Sequence, residues 1–288
     1  MSAKSNIEWT DATWSPITGC TPVSEGCKNC YAKRMANRLR GRYGYPADDP
    51  FRVTFHPDKL EEPLHWKKPR RVFVCSMSDI FHPAIPPEIL LRLFDVMCSE
   101  QGEKHIFQIL TKRPERWHDL EWFATESWPG DSAFNCQMEV FNHLPNNIWL
   151  GVTAENQRTA DERIPILLQI PAAVRFVSVE PMLEAMDIER YVTHCDDCGN
   201  RGSTALFGNR PGSGSNLCHD ACSKHGEGPA LDWVICGGES GPGKRPFTPD
   251  WARDLRDQCK DAGVPFFMKQ WDKVHPIPDD LMIRELPR

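Results

Sequence analysis

A chain of 288 residues that is 40% apolar and 26% charged has room for a sizeable core, which excludes a disordered protein. No run approaches the ~18 consecutive apolar residues of a membrane span, and the opening MSAKSNIEWTDATW lacks the apolar stretch of a signal peptide. A cytoplasmic protein with no membrane partner is expected. The net charge of −6 argues against coating nucleic acid through charge alone. Basic residues cluster at Lys28–Arg42 and Lys67–Arg71, either as a local groove or as a solvated helix face.

Strands are predicted at Trp14–Thr18, Val53–His56, Arg71–Cys75, His105–Thr111, Ile148–Thr153, Arg175–Val179, Trp233–Cys236 and Pro265–Lys269. Most are short and rich in Val, Ile and Phe, as fully buried parallel strands should be. Helices are predicted at Tyr31–Arg42, Pro87–Glu100, Pro114–Phe123, Asn156–Gln169 and Pro249–Ala262, with Pro87 and Pro249 suited to a first helical turn. Eight strands alternating with helices predict an α/β fold, a (β/α)8 or partial TIM-like barrel. The barrel would comprise residues 1–193 and 230–288. Residues 194–229, rich in Gly, Ser, Asn, Cys and Asp, read as an inserted zinc-ribbon-like segment.

The strand ends carry the polar chemistry. In a barrel these C-terminal ends build the site, although loops are polar without function too. Lys112, Glu155, Glu180 and Glu239 are the candidate catalytic groups. Ser76, Asp79, Thr111, Arg113, Thr153, Ser178, Gly237, Gly238 and Lys269 are candidates for holding a cofactor. Salt bridges around the rim are the plain alternative for the charged ones. Trp9, Trp14 and Trp271 are large enough to stack a base, or simply to fill a core.

Twelve cysteines in a reducing compartment point to metal rather than to disulfides. Cys20, Cys27 and Cys30 follow the spacing C-x6-C-x2-C between a strand and a helix. Three thiolates are one short of a closed zinc site, and they leave one iron of a [4Fe–4S] cluster without a protein ligand. The helix after Cys30 adds the positive end of its dipole. The alternative is a zinc loop with a distant fourth ligand such as His56 or His82. Cys195, Cys198, Cys218 and Cys222 give C-x2-C-x19-C-x3-C, close to a zinc ribbon, so structural zinc is expected to fold the insertion.

The cysteine loop, together with FQILTKRP at Phe107–Pro114, WLGVT at Trp149–Thr153, FVSVEP at Phe176–Pro181, WVICGGESG at Trp233–Gly241 and PFFMKQW at Pro265–Trp271, resembles a phage-associated three-cysteine-motif family described as radical S-adenosylmethionine-like. The resemblance implies a barrel binding a [4Fe–4S] cluster through Cys20, Cys27 and Cys30, with S-adenosylmethionine on the open iron. It also implies reductive cleavage of that cofactor to a 5′-deoxyadenosyl radical, fed by a flavodoxin- or ferredoxin-type electron donor. Lys112 and Arg113 would orient the cofactor's carboxylate, and Glu155 and Glu180 its ribose hydroxyls. A nucleotide or DNA base, in phage-type base modification or repair, is the implied substrate. Radical enzymes commonly use C-x3-C-x2-C with an aromatic residue before the last cysteine, whereas here Asn29 precedes Cys30 and Tyr31 follows it. Two other classes stand beside this reading: a zinc- or iron-dependent hydrolase or lyase, and a non-catalytic, metal-stabilised nucleic-acid-binding protein.

Overall fold

The computed structural model of this chain describes residue 5 and residues 7–120, 144–192 and 231–287. These fall into two compact units, 1–151 with 171–173 and 152–170 with 174–288. The architecture is mixed α/β.

The first unit holds β1 (Ala12–Trp14), β2 (Ile17–Thr18), α1 (Tyr31–Arg38), β3 (Thr54–Phe55), β4 (Arg71–Val74), α2 (Pro87–Cys98), β5 (Ile106–Thr111) and the start of β6 (Ile148–Thr153). Its sheet order is β1-β4-β5-β6. β1 and β5 flank β4 in parallel, with Ala12 opposite Val72 and Val72 opposite Phe107. Parallel neighbours need a crossover, which α2 supplies between β4 and β5 by burying Leu90, Leu91, Phe94 and Met97 on one face.

The second unit holds the end of β6, α3 (Gln157–Gln169), β7 (Val174–Val179), α4 (Glu189–Val192), β8 (Trp233–Gly237), α5 (Pro249–Asp261) and β9 (Phe266–Gln270). Here the order is β6-β7-β8-β9, with β7–β8 and β8–β9 parallel. Every residue of β8 is buried, which explains why its sequence is a continuous apolar run rather than an alternating one. Asn156 caps α3: its side chain accepts the Thr159 N–H at 3.0 Å, while Thr159 Oγ1 accepts the Asn156 N–H at 3.2 Å. Such a cap is worth about 1 kcal/mol. It also fixes the rotation of α3 and therefore where Arg163 points.

Two expectations change. The run Val53–His56 is not an eighth strand of the main ladder; its β3 portion pairs antiparallel with β2, leaving seven strands in the main order among the described residues. The predicted first strand, Trp14–Thr18, divides at Ser15-Pro16 into β1 and β2, since proline cannot donate to a ladder. Helix α1 also stops at Arg38, ahead of a turn with Gly41 at φ 70°, and not at Arg42. The predicted zinc-ribbon-like insertion, with Cys195, Cys198, Cys218 and Cys222, lies outside the described residues, as does the end of the helix expected over Pro114–Phe123. Among the described residues no helix is long and apolar enough to cross a membrane.

Candidate metal centre

The cysteine loop begins at a residue that has to be glycine. Gly19 sits at φ 86°, and a Cβ there would lie 2.2 Å from the Arg52 carbonyl oxygen. Its N–H donates to the Met77 carbonyl at 3.0 Å, and its own carbonyl accepts Ser78 Oγ at 2.6 Å. The Cys20 N–H donates to the Phe51 carbonyl at 3.1 Å. The loop is thus pinned on one side to the residues following β4 and on the other to residues 51–52. A short 3-10 turn over Glu25–Cys27 leads to Cys30, which is the N-cap of α1. Cys30 therefore stands at the helix end where unpaired N–H groups favour negative charge. The Tyr31 hydroxyl donates to the Ser76 carbonyl, a second tie between this loop and the end of β4.

None of the described cysteines is in a disulfide; Cys20, Cys27 and Cys30 are half-buried, whereas Cys75, Cys98, Cys236 and Cys259 are buried. Among the described residues no group of three or more His, Cys, Asp or Glu side chains is arranged to hold a single metal ion. A [4Fe–4S] cluster sets a different requirement, because each thiolate binds its own iron and the sulfurs need not converge on one point.

Next to Cys20 lies a buried ion pair. Asp79, in the turn after β4, accepts Thr111 Oγ1 at 2.7 Å, the Phe81 N–H at 3.1 Å and the Lys112 N–H at 2.9 Å. Arg113, just past β5, adds Nη1 to the same carboxylate at 3.1 Å, with both side chains under a tenth exposed. The same Nη1 is 3.5 Å from Cys20 Sγ, and Nη2 donates to the Thr21 carbonyl at 2.7 Å and hydroxyl at 3.2 Å. Burial opposes the Arg113 charge, but Asp79 and Cys20 outweigh it and hold its pKa above the ordinary arginine value. Burial, with Asp79 adding to it, pushes the Cys20 thiol up, against the pull of Arg113. Of the residues expected to hold a cofactor, Asp79, Thr111 and Arg113 are brought into one network with the cysteine loop, and Ser76 joins it through its carbonyl.

The two histidines considered as a fourth ligand are hydrogen-bonded within the unit. His82 Nδ1 accepts the Ala84 N–H at 3.1 Å, so Nε2 carries the proton and donates to Thr21 Oγ1 at 2.8 Å. Burial, then Arg113, lowers the His82 pKa, consistent with a neutral ring. His56 Nε2 pairs with Thr18 Oγ1 at 2.8 Å.

In the second unit the predicted residues form three arrangements. Glu155 is fully buried after β6 and meets Arg163 Nη1 at 2.9 Å; the same nitrogen donates to the Thr153 carbonyl at 2.6 Å. Glu180, after β7, takes Lys269 Nζ on both oxygens at 2.6 and 2.7 Å, with Gln270 Nε2 at 3.3 Å. Glu239 pairs with Arg245 and accepts its backbone N–H at 2.8 Å. Ser178 gives its carbonyl to the Ala154 N–H at 3.0 Å. Gly237 lies against Gln270 and Glu180, and Gly238 gives close backbone approach to its own chain, since a Cβ there would lie 2.2 Å from the Trp271 carbonyl.

Sequence reasoning missed Asp272 and His275. Asp272 Oδ2 accepts His275 Nδ1 at 2.8 Å and Lys244 Nζ at 2.6 Å, and the His275 ring lies 5.0 Å from that of Trp271. Burial works against the Asp272 charge, but hydrogen bonds from the 274–275 backbone, Lys244 and His275 hold its carboxyl far below the usual range. The Asp-x-x-His spacing after Trp271 was the available signal. Arg163 was missed as well; it is a charge on the otherwise apolar face of α3.

The sequence matches the family described as "Protein of unknown function (DUF5131)" over residues 4–281. The chain belongs to that family. No curated protein matches this DUF5131 member. Among solved structures, one titled "Spore photoproduct lyase complexed with dinucleoside spore photoproduct" is similar over 94% of this chain and 79% of that one, at 10% identity and a TM-score of 0.48. A likeness of that degree assigns no activity to the DUF5131 chain.

Proposed function

We propose that this chain is a radical S-adenosylmethionine enzyme in which Cys20, Cys27 and Cys30 hold a [4Fe–4S] cluster. The observation that carries the reading is the loop itself: three half-buried thiols on a backbone pinned to the residues after β4, with a guanidinium beside Cys20 and a helix N-terminus at Cys30. These residues fit the group, because a cluster bearing thiolate charge gains from fixed donors and positive ends around it. When bound, the cluster supplies the electron for reductive cleavage of S-adenosylmethionine.

The remaining chemistry belongs to the chain. Lys112 orients the cofactor's carboxylate. In the second unit Arg163 holds Glu155 in place and Lys269 holds Glu180. The proposed substrate is a nucleotide or DNA base. A base in duplex DNA would have to be flipped out to react. Zinc on Cys195, Cys198, Cys218 and Cys222 folds the insertion, a proposal that rests on spacing. The alternation of strands and helices in both units supports a (β/α)8-related plan.

The test is anaerobic reconstitution followed by iron, sulfide and zinc analysis and by EPR after dithionite, on wild type and Cys27→Ala. The expected result is about four irons per chain, with a reduced-cluster signal that changes on adding S-adenosylmethionine and is lost in the variant. Zinc at the triad, with no iron retained, would overturn the reading.

A further inference from the structure

We infer that Arg113 is the residue that tunes and retains the cluster, as an N–H···S donor to Cys20, and that Asp79 aims it. The inference rests on the cluster reading and gives Arg113 a different task from gripping a cofactor carboxylate.

The geometry leaves the guanidinium little choice. Nη1 is shared between Asp79 Oδ2 and Cys20 Sγ at 3.1 and 3.5 Å, and Nη2 is spent on the Thr21 carbonyl and hydroxyl. Thr21 is the residue after Cys20, so both prongs of the fork grip the same turn of the loop. A planar fork holds two points at once, which a lysine ammonium cannot do. Asp79 in turn is immobilised by Thr111 Oγ1 and the N–H groups of Phe81 and Lys112. Thr111 also accepts the Arg113 N–H at 2.9 Å, closing the network on the strand end. The chain of contacts thus runs from the end of β5, through Asp79, to one sulfur.

Two consequences follow. A hydrogen bond to a ligand sulfur, carrying a full positive charge, withdraws electron density from it and favours the reduced, more negative cluster. Outer partners of this type also orient the ligand, and losing one typically costs about 10- to 100-fold in metal retention or activity. At Cys20 the charge of Asp79 is felt at least as strongly as that of Arg113, so the guanidinium's own share is the N–H···S hydrogen bond, which the carboxylate cannot make. Arg113 is therefore a positioning residue, not a catalytic one.

The experiment is a mediated redox titration by EPR, with iron release to a chelator, on reconstituted wild type, Arg113→Gln, Arg113→Lys and Asp79→Asn. Arg113→Gln is expected to assemble a cluster whose midpoint is more negative than wild type and which loses iron about 10- to 100-fold faster. Arg113→Lys keeps the charge but not the fork, so its midpoint should lie between the two while its iron release stays fast. Asp79→Asn is expected to release iron faster than wild type. If Arg113→Gln does not fold, judged by circular dichroism, Arg113→Lys carries the decision. An unshifted midpoint together with wild-type iron release in the folded Arg113 variants would overturn the inference while leaving the cluster reading intact. Absence of iron in wild type would overturn the cluster reading itself.

Discussion

The Tyr31 hydroxyl donates to the carbonyl of Ser76, joining the residue after the last loop cysteine to the segment that follows β4. Tyr31 is half exposed. Tyr31→Phe keeps the ring and removes the donor. The metal-free protein should lose about 1 kcal/mol of stability, measured by urea unfolding. The reconstituted protein should release iron faster, because the start of α1 is no longer anchored. Unchanged release would show that Gly19 and Arg113 suffice to hold the loop.

The free thiols divide by burial, which chemistry can read out. Burial pushes the Cys75 thiol up to about 12 and those of Cys236 and Cys259 well above the ordinary range, and thiols do not react without ionising. Brief alkylation of the reduced, metal-free protein should label Cys27 and Cys30, then Cys20, and spare Cys75, Cys98, Cys236 and Cys259 until denaturant is added. Iron and sulfide should protect the three loop cysteines. Peptide mass mapping checks both statements. Labelling of Cys75 at the rate of Cys27 in the native protein would contradict the packing described here.

The strands from β4 to β9 were legible because each is short and mostly buried, and β6 and β8, buried throughout, are continuous apolar runs. The first 56 residues were not, because Pro16 and the two-residue ladder of β2 with β3 leave no periodic signal in so few positions. The spacing of Cys20, Cys27 and Cys30 singled them out as candidate ligands. Its link to Arg113 was not, since 93 residues separate Cys20 from Arg113 and nothing local tells which strand end faces which loop. The strand-end acids were singled out as candidates, but their partners were not: Arg163 for Glu155 and Arg245 for Glu239 sit eight and six residues away. Those pairs depend on helix rotation and loop path, which composition does not encode.

The Glu155–Arg163 pair is inaccessible on both sides, with side chains 1% and 7% exposed. A buried pair adds little over an apolar one, but removing one partner strips a buried charge of its counter-charge. Arg163→Met should therefore cost about 3–5 kcal/mol, seen as a lower denaturant midpoint. Adding Glu155→Leu to Arg163→Met should recover most of that loss. A single variant as stable as wild type would show that the other contacts of Glu155 make up for the loss of Arg163.

His105 makes stability depend on pH with a definite sign. Its ring is fully buried against Trp66 and Phe107, with centroids 5.5 and 6.0 Å away; Nε2 pairs with the Pro63 carbonyl at 3.1 Å, and Nδ1 has no partner. Protonation would place an N–H where nothing accepts it, with Lys104 and Arg70 nearby. Burial above all lowers its pKa from the ordinary 6.5. The unfolded chain then binds a proton that the folded one refuses, so stability rises with pH in that interval. The contribution is complete above about 6.5, shrinks as pH falls below it, and stops changing once the folded-state pKa is passed. His105→Gln keeps a donor for Pro63 but cannot titrate. Urea midpoints measured across this range should fall more steeply for wild type than for the variant, and parallel profiles would mean that His105 takes up its proton in the folded state.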